Sequence, residues 1–247
     1  MEEKIIYEVL RVIDGKPIFL EEHIRRMENS FKLVGETFLL KFEEIYAKID
    51  ECIKKEKKNI GNIKITYGLN SKELKIFFIE HSYPSDDLYE KGVKTILYFG
   101  ERTNPNAKIV NDNFRSKINE EINKKNAYEA ILVDRNGFIT EGSKSNIFMV
   151  KGNELITSPV KAVLPGVTRG EIINIANKIG ITVIEKEYSF KDIDKLDGMF
   201  ISGTSPKVLP INQVDSIKLD PENNIIKIIL DEYNKEIERY IININYK

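Results

Sequence analysis

The chain has 247 residues, of which 41% are hydrophobic and 31% charged, and its formal net charge is −1. That length allows one large domain or two compact ones, each able to bury a core. The charge leaves no basic excess with which to hold a polyanion, so nucleic acid is not an expected partner. Lysines are interleaved with Glu and Asp, as in KIDECIKKEKK and KINEEINKK, the pattern of solvated helix faces. A single cysteine, Cys52, excludes an intramolecular disulfide and an all-cysteine metal site, and fits a reducing, cytoplasmic compartment. The opening MEEKIIYEVLRV lacks the basic and apolar regions of a secretory leader, and no apolar run approaches the roughly 20 residues of a membrane span. No membrane partner is expected.

In chain order, Lys4 to Val12 alternates with β-branched and aromatic residues, and Asp14-Gly15 turns it into Pro17 to Leu20, which predicts a β-hairpin. Ile24, Met27, Phe31 and Val34 then fall on one helical face closed by Gly35. Phe42, Ile45, Ile49, Cys52 and Ile53 repeat the pattern and place Cys52 in the core. Asn62 to Tyr67, Glu73 to Ile79 and Val93 to Tyr98 are strand-like, so the first region reads as α+β. The polar stretch Glu101 to Ala107, with its Asn-Pro, breaks the pattern and is the expected interdomain linker. Beyond it Phe114, Ile118 and Ile122 predict a helix, followed by strands at Tyr128 to Val133, Phe138 to Thr140, Asn146 to Val150 and Glu154 to Thr157. Asn136-Gly137 signals another hairpin. A helix from Thr168 stops at Gly180, strands follow near Thr182 to Ile184 and Met199 to Ser202, and a long helix runs from about Glu222 to Ile242.

A metal site is not expected, because His23 and His81 are the only histidines and neither has a partner at ligand spacing. Nucleophile elbows, GxGxxG and GxxxxGK[ST] loops are all absent. One lysine stands outside the charged runs. Lys108, in NPNAKIVND, is flanked by Ala107 and Ile109. An amine in apolar surroundings is more often neutral and then serves as a nucleophile and proton carrier, although by context alone a strand-end lysine reaching water is the ordinary reading. TEGSKSN places one carboxylate, Glu141, before a Gly-Ser turn. In LPGVTRGEI, Pro165-Gly166 turns into a helix start whose amides suit a phosphate, and SGTSP offers hydroxyls and amides of the same kind. Each motif alone is common.

Together and in order, these segments resemble the class IV aminotransferases, the fold-type IV pyridoxal-phosphate enzymes that include branched-chain and D-amino-acid aminotransferases and aminodeoxychorismate lyases. The resemblance runs from about Tyr7 to Asp215. YEVLRVIDGKPIFLEEHIRRMENS is similar to the family's hairpin and first helix, and Lys108 stands 21 residues before Glu129 and three before Asn111. The likeness implies an α+β fold with a smaller N-terminal α/β domain over residues 1–100, a linker over 101–107 and a larger C-terminal pseudo-barrel over 108–247. It implies pyridoxal 5′-phosphate bound to Lys108 as a Schiff base, the ring nitrogen against Glu141, and the phosphate held by Arg26, Gly166, Val167, Thr168 and Thr204. Tyr7 and Ser205 are implied near the substrate. Amino acids and keto acids are the implied substrates, transamination of the branched-chain or D-amino-acid type the reaction, and a homodimer the assembly. Pyruvate elimination from aminodeoxychorismate is the alternative, faintly matched by VIDGK; retention of the cofactor without turnover is a further one. Three departures stand out: only six residues precede Tyr7; Gly68-Leu69 follows the strand where many members have an Arg-Gly that binds a substrate carboxylate; and Thr204-Ser205-Pro206 stands where branched-chain enzymes have Thr-Ala-Ala, so that Pro206 has no amide to donate. An N-terminal strand of the family is therefore expected to be missing here.

Overall fold

A computed structural model describes residues 3–244 of the chain. They form two compact units. One takes the described residues through Ser82, the segment Ala107–Val110 and the chain from Lys235 on; the other takes Tyr83–Asn106 and Asn111–Asn234.

In the first unit, β1 (Ile5–Ile13) and β2 (Lys16–Pro17) form the expected hairpin, with Asp14 at φ 51° and Gly15 at φ 72° making the two-residue turn. β1 also pairs along its length with β3 (Gly61–Gly68), and β3 with β4 (Leu74–Ile79), giving the antiparallel order β2-β1-β3-β4. Alternation then puts Ile6, Leu10 and Val12 of β1 and Ile63 and Ile65 of β3 on one face. Two amphipathic helices supply the matching apolar stripes, α1 (Leu20–Leu33) with Leu20, Ile24, Met27 and Phe31, and α2 (Phe42–Glu56) with Ile45, Ile49 and Ile53. Cys52 lies beside that stripe and is half-buried, so it borders the core that the periodicity assigned it to. The Pro17–Leu20 stretch departs from a full strand because Phe19 turns to φ 53° and α1 starts at Leu20.

The second unit opens with a short helix the sequence reading did not foresee, α3 (Asp86–Lys91), and then β5 (Val93–Phe99). After α4 (Asp112–Lys124) come β6 (Glu129–Val133), β7 (Ile139–Gly142), β8 (Asn146–Lys151) and β9 (Glu154–Thr157). Helix α5 (Val167–Lys178), β10 (Thr182–Glu185), β11 (Gly198–Gly203), β12 (Lys207–Val214) and β13 (Ile217–Lys218) follow. The long α6 (Asn224–Asn243) begins in this unit and ends in the first. Pairing runs β8-β11-β12-β5-β6-β7 and returns from β7 to β8, closing a six-stranded barrel to which β9 and β10 add an outer extension. Closure explains the continuous apolar runs of β6 and β8, buried on both faces. Ile131 joins the inward cluster with Ile139, Ile147, Met149, Ile201 and Leu209, whereas Ala130 and Leu132 meet Ile118 and Ile122 of α4.

This division departs from a boundary at residues 101–107. β5 completes the barrel between β12 and β6, and residues 107–110 pack with the first unit. β12 also went unforeseen, since Pro210 lies inside it and proline usually marks an edge or a non-strand.

Phe148 of β8 and Phe200 of β11 are directly paired, fully buried and stacked at 5.0 Å between centroids. Phe148→Ala is expected to lower unfolding stability by about 3–5 kcal/mol, read as a drop in the urea midpoint.

Candidate active site

In the first unit, Lys108 is held as part of β1's edge. Tyr7 donates its amide to the Lys108 carbonyl at 3.1 Å, Val110 donates to Ile5 at 3.1 Å, and Ile6 bridges Ile109. The Lys108 amide is donated to Ser30 Oγ of α1 at 3.2 Å, and that hydroxyl donates to the Arg26 carbonyl at 3.0 Å. Backbone position is thus fixed from both sides. The half-buried side chain carries Nζ to 4.7 Å from the Tyr7 ring centroid, so sequence-expected Lys108 and Tyr7 do meet. A second ammonium, Lys64 Nζ on β3, lies 5.2 Å from the same ring. Lys64 escaped the sequence reading because it looks like one more strand lysine; its signal is the cross-strand pairing Val9↔Lys64, which sets it on Tyr7's face of the sheet.

Arg26 sits on the opposite face. Its Nε and Nη2 donate to the two oxygens of Glu8 at 2.8 and 2.5 Å, a bidentate pair in which Glu8 has no exposed surface. His23 Nδ1 lies 2.8 Å from Glu8 Oε2. A carboxylate only accepts, so Nδ1 carries the hydrogen, and the 3.4 Å approach of Arg26 Nη2 to Nδ1 is proximity without a bond. Burial alone would raise the Glu8 carboxyl, but the charge and hydrogen bonds of Arg26, helped by His23, bring it down to about 2. Burial pushes His23 below its usual range against the pull of Glu8, leaving a neutral ring. Glu8 and His23 were not singled out from sequence. The signal was available in Glu8: an acid at an inward position of an alternating strand, between Ile6 and Leu10.

In the second unit, Glu141 of β7 is 3% exposed and closes one wall of a cleft of about 500 Å³ lined also by Arg102, Thr103, Pro105 and Thr140. Arg102 Nη1 lies 3.3 Å from its Oε1 and the Leu164 amide donates to its Oε2 at 2.9 Å, contacts that orient the carboxylate. Buried Glu129 of β6 accepts from the amides of Ala130, Ser143 and Lys144 and from the hydroxyls of Ser143 and Ser145, pinning the turn that follows Glu141. Gly166 caps α5 with no side-chain bond, and Val167 and Thr168 open that helix, as expected for an anion-binding start. A Cβ on Gly166 would stand 2.0 Å from Asn146 Oδ1, so any other residue there would require the Asn146 side chain to move. Thr204 and Ser205 form the half-exposed turn between β11 and β12.

Pyridoxal phosphate needs a phosphate cradle and a carboxylate for its ring nitrogen. Ser202 Oγ is buried without a hydrogen-bond partner among the described residues, and Ser202 pairs across the barrel with Asn146, the residue against Gly166. An orphaned hydroxyl beside an uncapped helix start fits a phosphate. The oriented Glu141 fits the ring. Among the described residues no three His, Cys, Asp or Glu side chains gather as a metal site, and no helix is long and apolar enough to cross a membrane.

The buried pair has a pH signature. Both depressed groups stabilise the fold above their unfolded pKa values and lose that contribution as pH falls: His23 below about 6.5, then Glu8 between 4.5 and about 2. Urea midpoints followed against pH should decline in those two steps, and Glu8→Gln should remove the lower one, whose size in wild type is on the order of 3 kcal/mol.

The family model described as amino-transferase class IV matches residues 5–214. A branched-chain-amino-acid aminotransferase of Escherichia coli K12 is 28% identical over 238 residues, covering 87% of this chain and 77% of the relative. A D-alanine aminotransferase of Bacillus licheniformis is 25% identical over 224 residues, covering 85% and 78%. Among solved structures, the Escherichia coli branched-chain aminotransferase superposes with TM-score 0.84 at 24% identity over 94% of this chain and 85% of that one. A provisionally named 4-amino-4-deoxychorismate lyase of Legionella pneumophila does so with TM-score 0.85 at 22% identity over 94% and 91%. The match spans both β1 and the barrel, and the chain belongs to the class IV aminotransferase family of pyridoxal-phosphate enzymes.

Proposed function

We propose that the chain transaminates amino acids, with Lys108 as the residue that carries the cofactor and moves the substrate proton. The observation supporting this most directly is the clamp on Lys108: its backbone is tied to β1 and α1 while its amine lies over Tyr7. A residue that must hand a proton on and take it back needs a fixed root and a side chain long enough to turn. Bound pyridoxal 5′-phosphate supplies the electron sink for the charge left when the substrate's α-proton departs. Glu141, paired with Arg102, would hold a proton on the ring nitrogen. In the first unit Arg26 would hold the phosphate, and in the second the amides of Val167 and Thr168 and the hydroxyls of Thr204 and Ser202 offer the same chemistry. Lys108 Nζ then takes the proton from the substrate's α-carbon and returns it on the far side of the transfer.

The substrate carboxylate is assigned to Tyr7, Ser205 and Lys64. Lys64 supplies the cation that the absent Arg-Gly would otherwise bring, from the neighbouring strand position. Branched-chain and D-amino-acid donors are both supported by relatives of this chain. A homodimer completes the reading.

Purified protein with added pyridoxal phosphate should show the visible absorbance of a lysine-bound cofactor, and Lys108→Ala should lose it. With L- and D-amino acids added singly, one series should convert the spectrum to that of the pyridoxamine form. Conversion by no amino acid, together with 4-aminobenzoate release from aminodeoxychorismate, would make the protein a lyase; neither reaction would make it a binding protein. Lys64→Met should raise KM for the amino acid about tenfold with little change in kcat, the result expected for loss of one carboxylate contact.

A further inference from the structure

We propose that Glu8 is the positioning residue for the cofactor's phosphate, acting through Arg26. This rests on the reading of Arg26 as a phosphate ligand and goes on to say what aims it.

Arg26 is 9% exposed, and an arginine so placed must have its charge compensated. Glu8 compensates it in the most directional way available, since both carboxylate oxygens engage one edge of the guanidinium, Nε and Nη2. His23 Nδ1 donates to Oε2 from the side and stops the carboxylate from rotating, being itself 3% exposed and packed on α1 three residues before Arg26. At the other end of the residue, Ser30 Oγ donates to the Arg26 carbonyl and accepts the Lys108 amide. The guanidinium plane and the backbone of the cofactor-bearing lysine are therefore set within one hydrogen-bonded frame.

Two consequences follow. With Nε and Nη2 both bonded to Glu8, the guanidinium plane is fixed, so Glu8 determines the direction from which a phosphate can be bound. Glu8 also cancels most of the guanidinium charge, so what Arg26 contributes to a dianion is a placed donor more than a field. A purely structural Glu8 would support folding and leave affinity for phosphate untouched. A charge-moderating Glu8 would weaken that affinity, and its removal would tighten binding. Positioning predicts the opposite sign.

The experiment is a titration of full-length apo-protein, by cofactor absorbance and fluorescence, with pyridoxal phosphate and with pyridoxal, which lacks the phosphate. It compares wild type, Glu8→Gln, Arg26→Gln and the double variant. Glu8→Gln should raise the Kd for pyridoxal phosphate about tenfold while leaving that for pyridoxal within about twofold, and should add nothing further in the Arg26→Gln background. Unchanged or tighter phosphate binding in Glu8→Gln, equal weakening of both ligands, or additive losses in the double variant would each overturn the proposal. Should Glu8→Gln fail to fold, Glu8→Asp keeps the charge and shortens its reach, and must show the same phosphate-selective loss. Absence of pyridoxal phosphate binding by wild type, or its insensitivity to Arg26→Gln, would be the separate failure of the underlying reading.

Discussion

A carboxylate without solvent, placed in a row of isoleucine and leucine side chains, is the constraint on which the first unit turns. Glu8 lies between Ile6 and Leu10 on the inward face of β1, where an unpaired charge would cost several kcal/mol. It is tolerated because α1 brings Arg26 and His23 to it at the spacing of one helical turn. The apolar residues on either side, Ile24 and Met27, pack into the same core, so the ion pair and the hydrophobic stripe are satisfied by one placement of the helix. A shift of α1 by one residue would break both. Register and charge reinforce each other here, and the rigidity of Arg26 is a by-product of the fold's own need to neutralise Glu8.

β1 then works on its other face and its edge. Tyr7 points away from the core toward the ammonium groups of Lys108 and Lys64, and the strand's free edge accepts the segment around Lys108. A residue that looks like the start of the second half of the chain is thereby built onto the first unit. In the second unit the equivalent economy belongs to the strand ends around β8. Asn146 donates its side-chain amide to the Leu164 carbonyl, faces Gly166 and pairs with Ser202, while Glu129 gathers the turn after Glu141. Both units use buried polar groups to fix loops whose backbone would otherwise be loosely held.

Much of this was readable in the residues. Asp14-Gly15 specified the first hairpin because Asp-Gly suits a turn with two positive φ angles, which matches strand twist, and the values of 51° and 72° meet that need. The apolar stripes of α1, α2 and α5 followed from periodicity, and Gly180 at φ 80° ends the last of them. The chemistry proposed for Lys108, Glu141 and the α5 start came from the resemblance to the class IV family, since each motif alone is common. What escaped was long-range. β5 looked like its neighbours β3 and β4, but its partners are β12 and β6, and no local pattern distinguishes a strand that joins one sheet from one that joins another. β12 hid behind Pro210. Glu8, Lys64, Arg102 and Glu129 were hidden for a different reason: a charged residue shows its role only through the partner the fold delivers, and those partners lie 14 to 57 residues away. The longest of these separations, Tyr7 to Lys64, exists only because β1 and β3 pair.

One departure from the family pattern, Gly68-Leu69 after β3, concerns the substrate. Arg26, Lys108, Glu141, Gly166 and Thr204 stand in the order that the resemblance gives them. Where many members carry an Arg-Gly after β3 this chain has Gly68-Leu69, and a lysine on β3 itself lies beside Tyr7. A lysine and an arginine are not equivalent there. Arginine offers a planar fork that reads both oxygens of a carboxylate, whereas an ammonium is a point charge on a flexible arm that fixes charge but not orientation. A site using Lys64 would therefore hold an acidic substrate with less control of its rotation, and selectivity would fall to the shape and polarity around Tyr7. That is a physical reason for the breadth of candidate substrates: the chain's own residues determine where the proton moves more tightly than they determine which amine brings it.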